Sequence, residues 1–138
     1  MPPARILIVE DDTSDVFLLR RALEAQCCSI QIEVAVDGEK ALDFIRAASK
    51  YRRVRPDLIL LDLHLPKYDG LEVLRAIREE PGFHDDRVVV VTGGASPLEI
   101  EEVHSMGAEY RLKPRGLSDF EDLAADLLMI CRGLQPTS

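Results

Sequence analysis

The sequence predicts an α/β fold built on a doubly wound, five-stranded parallel sheet. Short apolar runs without polar alternation, at 6–9, 58–61 and 88–91, are typical of strands buried on both faces. Amphipathic segments of helical length separate these runs, so strand and helix patterns alternate along the chain. Because the connections are short, we expect parallel strands with crossover helices on both faces of the sheet.

Composition limits the possible functions. The 138 residues suit one domain, and we expect a core at about 5–133 with short tails at 1–4 and 134–138 and no output domain. A net charge of −8 argues against a nucleic-acid or anionic-membrane partner. No apolar run approaches the roughly 18 residues of a membrane span, and none resembles a leader. The three cysteines lack metal or disulfide spacing, which favours reduced thiols in a cytoplasmic protein.

The first half of the chain contains three strand patterns and two helix patterns. Between 13 and 26 the apolar residues recur at the spacing of a core-facing helix, and Asp37 has the chemistry of a helix N-cap. The segment 30–36 alternates apolar and polar residues, which indicates a strand with one less buried face. The basic segment 49–56 is either a solvated loop or a docking element for an acidic partner. We therefore predict strands at 5–10, 30–36 and 57–62, and helices at 13–26 and from Glu39 to about Ala48.

The second half contains three helices that are recognisable at their N-termini. Asp69, Ser96 and Ser118 are each followed three positions later by Glu, the pattern of a capping box. Pro97 suits the first helical position after Ser96. Gly107 follows the fourth helix, where a left-handed residue is favoured.

Polar residues follow four of the predicted strands. Glu10, Asp11 and Asp12 follow the first strand, and Asp62 follows the third. Thr92 follows the valine run, and Lys113 follows the short segment 108–112. In an open α/β sheet the groups just beyond the carboxyl ends of the strands line one crevice. Acids, a hydroxyl and an amine therefore meet there, which predicts a phosphate-and-metal site.

Four motifs in this order carry a family resemblance. They are I-L-I-V-E-D-D at 6–12, L-I-L-L-D-L-H-L-P-K-Y-D-G at 58–70, V-V-V-V-T-G-G at 88–94 and Y-R-L-K-P at 110–114. Together they resemble the receiver domain of two-component response regulators, over residues 5 to about 133. The resemblance implies a (βα)₅ flavodoxin-like fold with strand order 2-1-3-4-5.

The resemblance also assigns roles to the acids at the strand ends. It implies that Asp62 accepts a phosphoryl group from a sensor histidine kinase, with Mg²⁺ as cofactor. Asp11, Asp62 and the backbone carbonyl of His64 would bind the metal, and Glu10 would act largely through water. The His64 side chain could contact the phosphoryl group, but we expect it to face solvent. For Asp12 we favour a helix cap over a metal role.

The remaining site residues follow from the same resemblance. Thr92 matches the switch hydroxyl, which donates to a phosphate oxygen, and Lys113 matches the amine that pairs with the phosphate and Asp62. Tyr110 matches an aromatic switch residue, although a half-exposed strand tyrosine would look the same. Pro114 matches a position where a cis peptide bond is usual. Gly93 and Gly94 would leave backbone N–H groups open to an anion.

Output is expected to be protein–protein contact or phosphate traffic. In the family the surface of helix 4, strand 5 and helix 5 is a common dimer face, and we predict a homodimer there. The fifth helix supports this because it is apolar over more than a core stripe requires. Its apolar residues are Leu117, Phe120, Leu123, Ala124, Leu127, Leu128 and Ile130. Within the family, the chain most resembles stand-alone receivers paired with phytochrome-type kinases.

Two other functions use similar residues. A haloacid-dehalogenase-like phosphohydrolase also has a strand-end Asp nucleophile, but it usually has a second Asp two positions on, where this chain has His64. A degenerate receiver would act only as an interaction scaffold. The intact set of Glu10, Asp11, Asp62, Thr92 and Lys113 argues against that possibility.

Overall fold

Strands and helices alternate throughout the residues that the computed structural model describes, namely 3–27, 29–51, 55–83 and 85–134. Within these ranges there are five strands and five helices. The strands are β1 (Ala4–Val9), β2 (Ile30–Ala35), β3 (Leu58–Leu61), β4 (Val88–Thr92) and β5 (Glu109–Leu112). The helices are α1 (Thr13–Gln26), α2 (Gly38–Lys50), α3 (Gly70–Glu79), α4 (Pro97–Ser105) and α5 (Leu117–Cys131).

The strands form one parallel sheet in the order β2-β1-β3-β4-β5. This confirms the predicted doubly wound topology. β3 and β4 are buried along their whole length because they run through the middle of the sheet and helices cover both faces. β2 and β5 lie at the edges, and their side chains are correspondingly more exposed.

The sheet separates two layers of apolar side chains. Successive residues of a strand point to opposite faces, so Leu7 and Val9 belong to one cluster and Ile6 and Ile8 to the other. The first cluster lies against α2, α3 and α4, and the second lies against α1 and α5. Because all strands are parallel, each β–α connection begins at the carboxyl edge of the sheet.

Most of the predicted helix starts are confirmed. Asp12, Asp37 and Asp69 each accept a backbone hydrogen bond from the first turn of the helix that follows. Ser96 and Glu99 form a reciprocal capping box: the Glu99 N–H donates to the Ser96 hydroxyl at 3.2 Å, and the Ser96 N–H donates to the Glu99 carboxylate at 2.9 Å. Gly107 has a φ of +71°, as predicted for the residue that closes α4.

Three local predictions are wrong. The capping box at Ser118 does not form, because α5 already begins at Leu117 after an extended Gly116 and no side chain caps it. An N-cap needs a non-helical backbone, which Ser118 inside the first turn lacks. Helix α2 continues to Lys50 rather than ending near Ala48. The bond before Pro114 is trans, as are the other described peptide bonds; proline narrows the trans preference without reversing it.

Some predictions fall on residues outside the described ranges. These are the centre of the basic connector at 52–54, Cys28, and the tail from residue 135 onwards. The described cysteines, Cys27 and Cys131, are free thiols. Among the described helices, none combines the length and the apolar character that a membrane crossing requires.

Candidate functional site

Four strand ends converge at the carboxyl edge of the sheet. The Asp62 N–H donates to the Val9 carbonyl at 3.1 Å, which places Asp62 beside the acids that follow β1. The Lys113 N–H donates to the Thr92 carbonyl at 2.9 Å, which aligns the ends of β4 and β5. The predicted acids, hydroxyl and amine therefore share one crevice.

Three carboxylates in this crevice are close enough to hold one cation. Glu10, Asp11 and Asp62 each offer an oxygen, and these three atoms lie within 4.8 Å of one another. Glu10 and Asp62 are buried, whereas Asp11 is exposed. Carboxylate oxygens are the donors that a hard divalent cation prefers. The donor set therefore fits a magnesium-type ion, and Asp11 would face its open side.

Lys113 is the cation at the centre of the crevice. Its Nζ lies 2.5 Å from Glu10 Oε1, 2.8 Å from Asp15 Oδ2 and 3.3 Å from Asp62 Oδ2. Burial opposes protonation, but the hydrogen bonds that the amine donates to Asp15 and Glu10 and the charge of Asp62 outweigh it, so the pKa of Lys113 is raised above its ordinary value. The amine is therefore held in its charged form.

Burial changes the acidity of the Glu10 carboxyl group. Desolvation raises the pKa of Glu10 from 4.5 to about 7, although Lys113 and the N–H of Asp12 oppose the shift. The Asp12 N–H donates to Glu10 Oε2 at 3.2 Å. One ammonium cannot neutralise the surrounding carboxylates, so the crevice favours an added positive charge.

Thr92 ends β4 with its side chain inside the protein. The residue is 0 % exposed, and within the described part of the chain its hydroxyl has no hydrogen-bond partner. Buried polar groups are usually satisfied, so an orphan hydroxyl at a strand end calls for an explanation. The next two residues, Gly93 and Gly94, leave open space: a β-carbon on either would meet no described atom within 4 Å. The hydroxyl therefore adjoins a loop with room for a ligand.

Comparison with known proteins agrees with this geometry. Residues 6–123 match the family described as the response regulator receiver domain. The chain belongs to this family. Response regulator Rcp1 from Synechocystis sp. (strain PCC 6803) is 35 % identical over 120 residues, covering 86 % of this chain and 82 % of Rcp1.

Solved receiver structures share the fold as well as the sequence. The phosphorylated cyanobacterial phytochrome response regulator RcpA superposes with a TM-score of 0.84 at 30 % identity, and 94 % of each chain is covered. The Mn²⁺-bound form of Rcp1 gives a TM-score of 0.80 at 30 % identity, covering 99 % of this chain and 98 % of Rcp1. The phosphohydrolase alternative is therefore excluded, and the chain is a receiver of two-component signalling.

His64 is placed partly as expected in this receiver. Its side chain is exposed, but Nε2 lies 3.0 Å from the Gly94 carbonyl rather than free in solvent. The ring thus connects the loop after β3 to the loop after β4. The His64 N–H donates to Asp62 Oδ1 at 3.2 Å. A metal-binding role for the His64 carbonyl stays a prediction.

The helix-cap interpretation of Asp12 is confirmed. Its Oδ1 accepts from the N–H groups of Ser14 and Asp15 at 2.9 and 3.1 Å, so the side chain starts α1. Tyr110 is half-buried in β5, in register with Val90, and packs against the α2–α4 cluster. Its role as a switch stays a prediction.

The sequence analysis missed Asp15. It lies in the first turn of α1, and its carboxylate is the second nearest to the Lys113 amine. An acid in a first turn is commonly explained by the helix dipole, which hides any other role. The available signal was positional, because a helix that follows β1 begins at the same edge of the sheet as the crevice.

Proposed function

We propose that this receiver accepts a phosphoryl group on Asp62 and signals through protein–protein contact. The observation that carries the proposal is the position of Asp62: it is buried at the end of β3, 3.3 Å from the Lys113 amine and inside the cluster of acids that could hold a cation. A lone strand-end aspartate could be a cap, but a cap needs neither a cation nor two neighbouring carboxylates. The output would require no enzymatic activity beyond the receiver's own phosphorylation and dephosphorylation.

The chemistry follows from the groups at the site. A carboxylate oxygen of Asp62 attacks the phosphorus of a phosphohistidine, the new O–P bond forms, the P–N bond breaks and the histidine nitrogen takes a proton. Lys113 places a positive charge beside the phosphoryl oxygens, and the Thr92 hydroxyl donates to one of them. When bound by Asp11, Asp62, the His64 carbonyl and, through water, Glu10, Mg²⁺ would neutralise further phosphoryl charge.

Substitution of the acceptor tests this function. Asp62→Asn removes the nucleophile but keeps the side-chain volume, so we expect no stable phosphorylation by acetyl phosphate or a histidine kinase. Mass spectrometry of the intact and hydroxylamine-treated protein would detect the acyl phosphate. Asp119→Asn is the matched control, since it changes an exposed acid in the first turn of α5. Undiminished labelling of the Asp62 variant at another residue would contradict the proposal.

We propose a sensor histidine kinase as the phosphodonor, and specifically one of the phytochrome type. The support is the similarity to RcpA, a cyanobacterial phytochrome response regulator. Incubating the receiver with purified, radiolabelled kinases of its source would test the pairing. We expect transfer from a phytochrome kinase within seconds and from unrelated kinases much more slowly. Equal rates from all kinases would contradict the phytochrome assignment.

We also propose a homodimer through α4, β5 and α5, but the residues that support it differ from those that the sequence indicated. Most apolar residues of α5 lie in the core of the single chain, so their number does not indicate an interface. The exposed apolar residues on this surface are instead Leu98, Leu112 and Leu117, which are 72 %, 58 % and 61 % exposed. One such residue comes from each element of the face, which supports a shared apolar patch.

Light scattering with and without beryllofluoride would test the dimer and the role of Tyr110. Leu112→Asp should give a monomer, whereas Phe17→Asp, which changes an exposed apolar residue on α1, should not. We expect Tyr110→Ala to lose the response of association to beryllofluoride. A parent protein that is monomeric with and without beryllofluoride would contradict the dimer. If Tyr110→Ala responds to beryllofluoride as the parent does, Tyr110 contributes only to packing.

A further inference from the structure

The Lys113 ammonium has three donors, and three carboxylates occupy them. The contacts to Glu10, Asp15 and Asp62 were described above, and Lys113 is only 21 % exposed at its side chain. Two of these partners, Glu10 and Asp62, also belong to the cluster that would hold a cation. Asp15 does not belong to it. Of these three partners of Lys113, only Asp15 would therefore not also serve as a metal ligand.

The position of Asp15 is itself fixed by the start of α1. Its N–H donates to Asp12 Oδ1 at 3.1 Å, so the cap holds the first helical turn in place. Asp15 and Lys113 line one small, mostly apolar cavity, which Glu10 and Asp62 also line. The Asp15 side chain is 26 % exposed, so solvent screens its charge less than that of a surface acid.

We propose that Asp15 is a positioning residue, which holds the Lys113 amine over the phosphoacceptor when metal and phosphoryl group are bound. This inference rests on the proposed phosphoacceptor function. A free lysine side chain loses conformational freedom when it is ordered. A tether that orders it beforehand removes that cost from phosphoryl binding. Since the ammonium has three donors, the tether uses one and leaves two for Asp62 and the phosphoryl oxygens.

The alternative is that Asp15 competes with the phosphoryl group for the amine. The two possibilities predict opposite signs. If Asp15 competes, its removal strengthens binding of a phosphoryl mimic; if it positions Lys113, its removal weakens binding. The geometry favours positioning because Lys113 reaches Asp62 and Asp15 at the same time, so the two contacts are compatible.

A double-mutant cycle with beryllofluoride as the probe tests the inference. In the presence of saturating Mg²⁺, Asp15→Ala should weaken beryllofluoride binding about tenfold, which corresponds to the side-chain freedom that the tether removes. In a Lys113→Met background the same substitution should have no further effect, because Asp15 acts through the amine. Asp15→Asn keeps an acceptor for the ammonium and should recover part of the loss. Asp119→Ala is the control for removing a first-turn acid.

The outcomes separate this inference from the proposed function. Failure of the parent protein to bind beryllofluoride, or to be phosphorylated on Asp62, would contradict both. With an active parent, an unchanged or tighter affinity for Asp15→Ala would overturn the positioning role. An equal loss in the parent and Lys113→Met backgrounds would also overturn it. As a readout without phosphate, but with saturating Mg²⁺ to engage Glu10 and Asp62, the ¹⁵N-labelled Lys113 ammonium should give an observable, slowly exchanging NMR signal in the parent and lose it in Asp15→Ala; a signal that persists would contradict the tether.

Discussion

The loops after β3 and β4 flank the same crevice but are built in opposite ways. After β3, the two ends of the loop pack tightly against each other: the Gly70 N–H donates to the Leu63 carbonyl at 2.8 Å, and a β-carbon on Gly70 would lie 2.4 Å from the Asp62 carbonyl oxygen. After β4, the Thr92 hydroxyl lacks a described partner, and a β-carbon on Gly93 or Gly94 would meet no described atom within 4 Å.

This difference separates two tasks. In the function proposed above, Asp62 is the nucleophile, and the close backbone packing around it would hold it in place before its substrate arrives. The Thr92 hydroxyl would respond to phosphorylation, because it has no described hydrogen-bond partner and the loop that follows it is open. His64 connects the two loops by its contact with the Gly94 carbonyl.

The largest expected effect tests the packing of the fixed loop. Gly70→Ala would force α3 away from the backbone of Asp62, because neither the Asp62 carbonyl nor the Leu63 Cα can give way as a flexible side chain would. We expect a loss of about 3 kcal/mol in the free energy of unfolding. Urea unfolding of the unphosphorylated protein measures it.

Gly93→Ala is the matched substitution in the open loop. It meets no described neighbour within 4 Å, so we expect the free energy of unfolding to stay constant or to rise by less than about 1 kcal/mol. Equal losses from Gly70→Ala and Gly93→Ala would show that the two loops do not differ in packing.

Metal should stabilise the acceptor side of the crevice. Mg²⁺ bound by Asp11 and Asp62 would relieve repulsion among the carboxylates and raise stability by mass action, by about 2.7 kcal/mol at a hundred times the Kd. Thermal unfolding at increasing Mg²⁺ measures this rise. Asp11→Ala should lose most of it, whereas Thr92→Val should retain it. A full rise in Asp11→Ala would mean that the metal binds elsewhere.

The pH dependence of the metal-free protein should follow from Glu10. Burial raises the pKa of Glu10 from 4.5 to about 7, so the folded state holds this proton more tightly than the unfolded chain does. Stability from this group is present below about 4.5 and lost as the pH rises toward 7. Urea unfolding in EDTA across this range measures the loss, and Glu10→Gln should flatten it. Identical slopes for the parent and Glu10→Gln would show that other groups set the pH dependence.

The smallest expected effect on stability concerns the open loop. Thr92→Val removes a buried hydroxyl that has no described partner, so we expect the unphosphorylated protein to change by less than about 1 kcal/mol. The same variant should bind beryllofluoride more weakly, because the hydroxyl is needed only when an anion is present. A large loss of stability in the unphosphorylated state would show that the hydroxyl already has a structural partner.

The sequence predicted the sheet and the core of the site because both depend on strongly patterned segments. The valine run of β4 and the Leu-rich run of β3 can only be buried, and the residues that follow them must meet at one edge. Asp62, Thr92 and Lys113 could therefore be placed without coordinates. Their motifs, taken together, also identified the family.

The features that the sequence did not predict depend on competition between alternative local structures or on contacts between distant residues. Ser118 and Gly116 are both possible N-cap residues for α5. The capping-box pattern of Ser118 and Glu121 did not show that Gly116 would be the N-cap. The apolar residues of α5 could not be divided between core and interface until the packing against α1 was known. Asp15 was hidden because its partner Lys113 lies 98 positions away, so local spacing carries no signal for the contact.

The sheet separates two layers of helices, but the site joins them. Thr92 and Tyr110 lie on the face of α2, α3 and α4, whereas Asp15 lies in α1 on the opposite face. The Asp62 carboxylate accepts from the Lys113 amine and from the His64 N–H, and the His64 ring reaches the loop after β4. A phosphoryl group on Asp62 would therefore adjoin both layers. The surface of α4, β5 and α5 likewise takes elements from both layers, so a single modified carboxylate lies at the point where the two faces of the sheet meet.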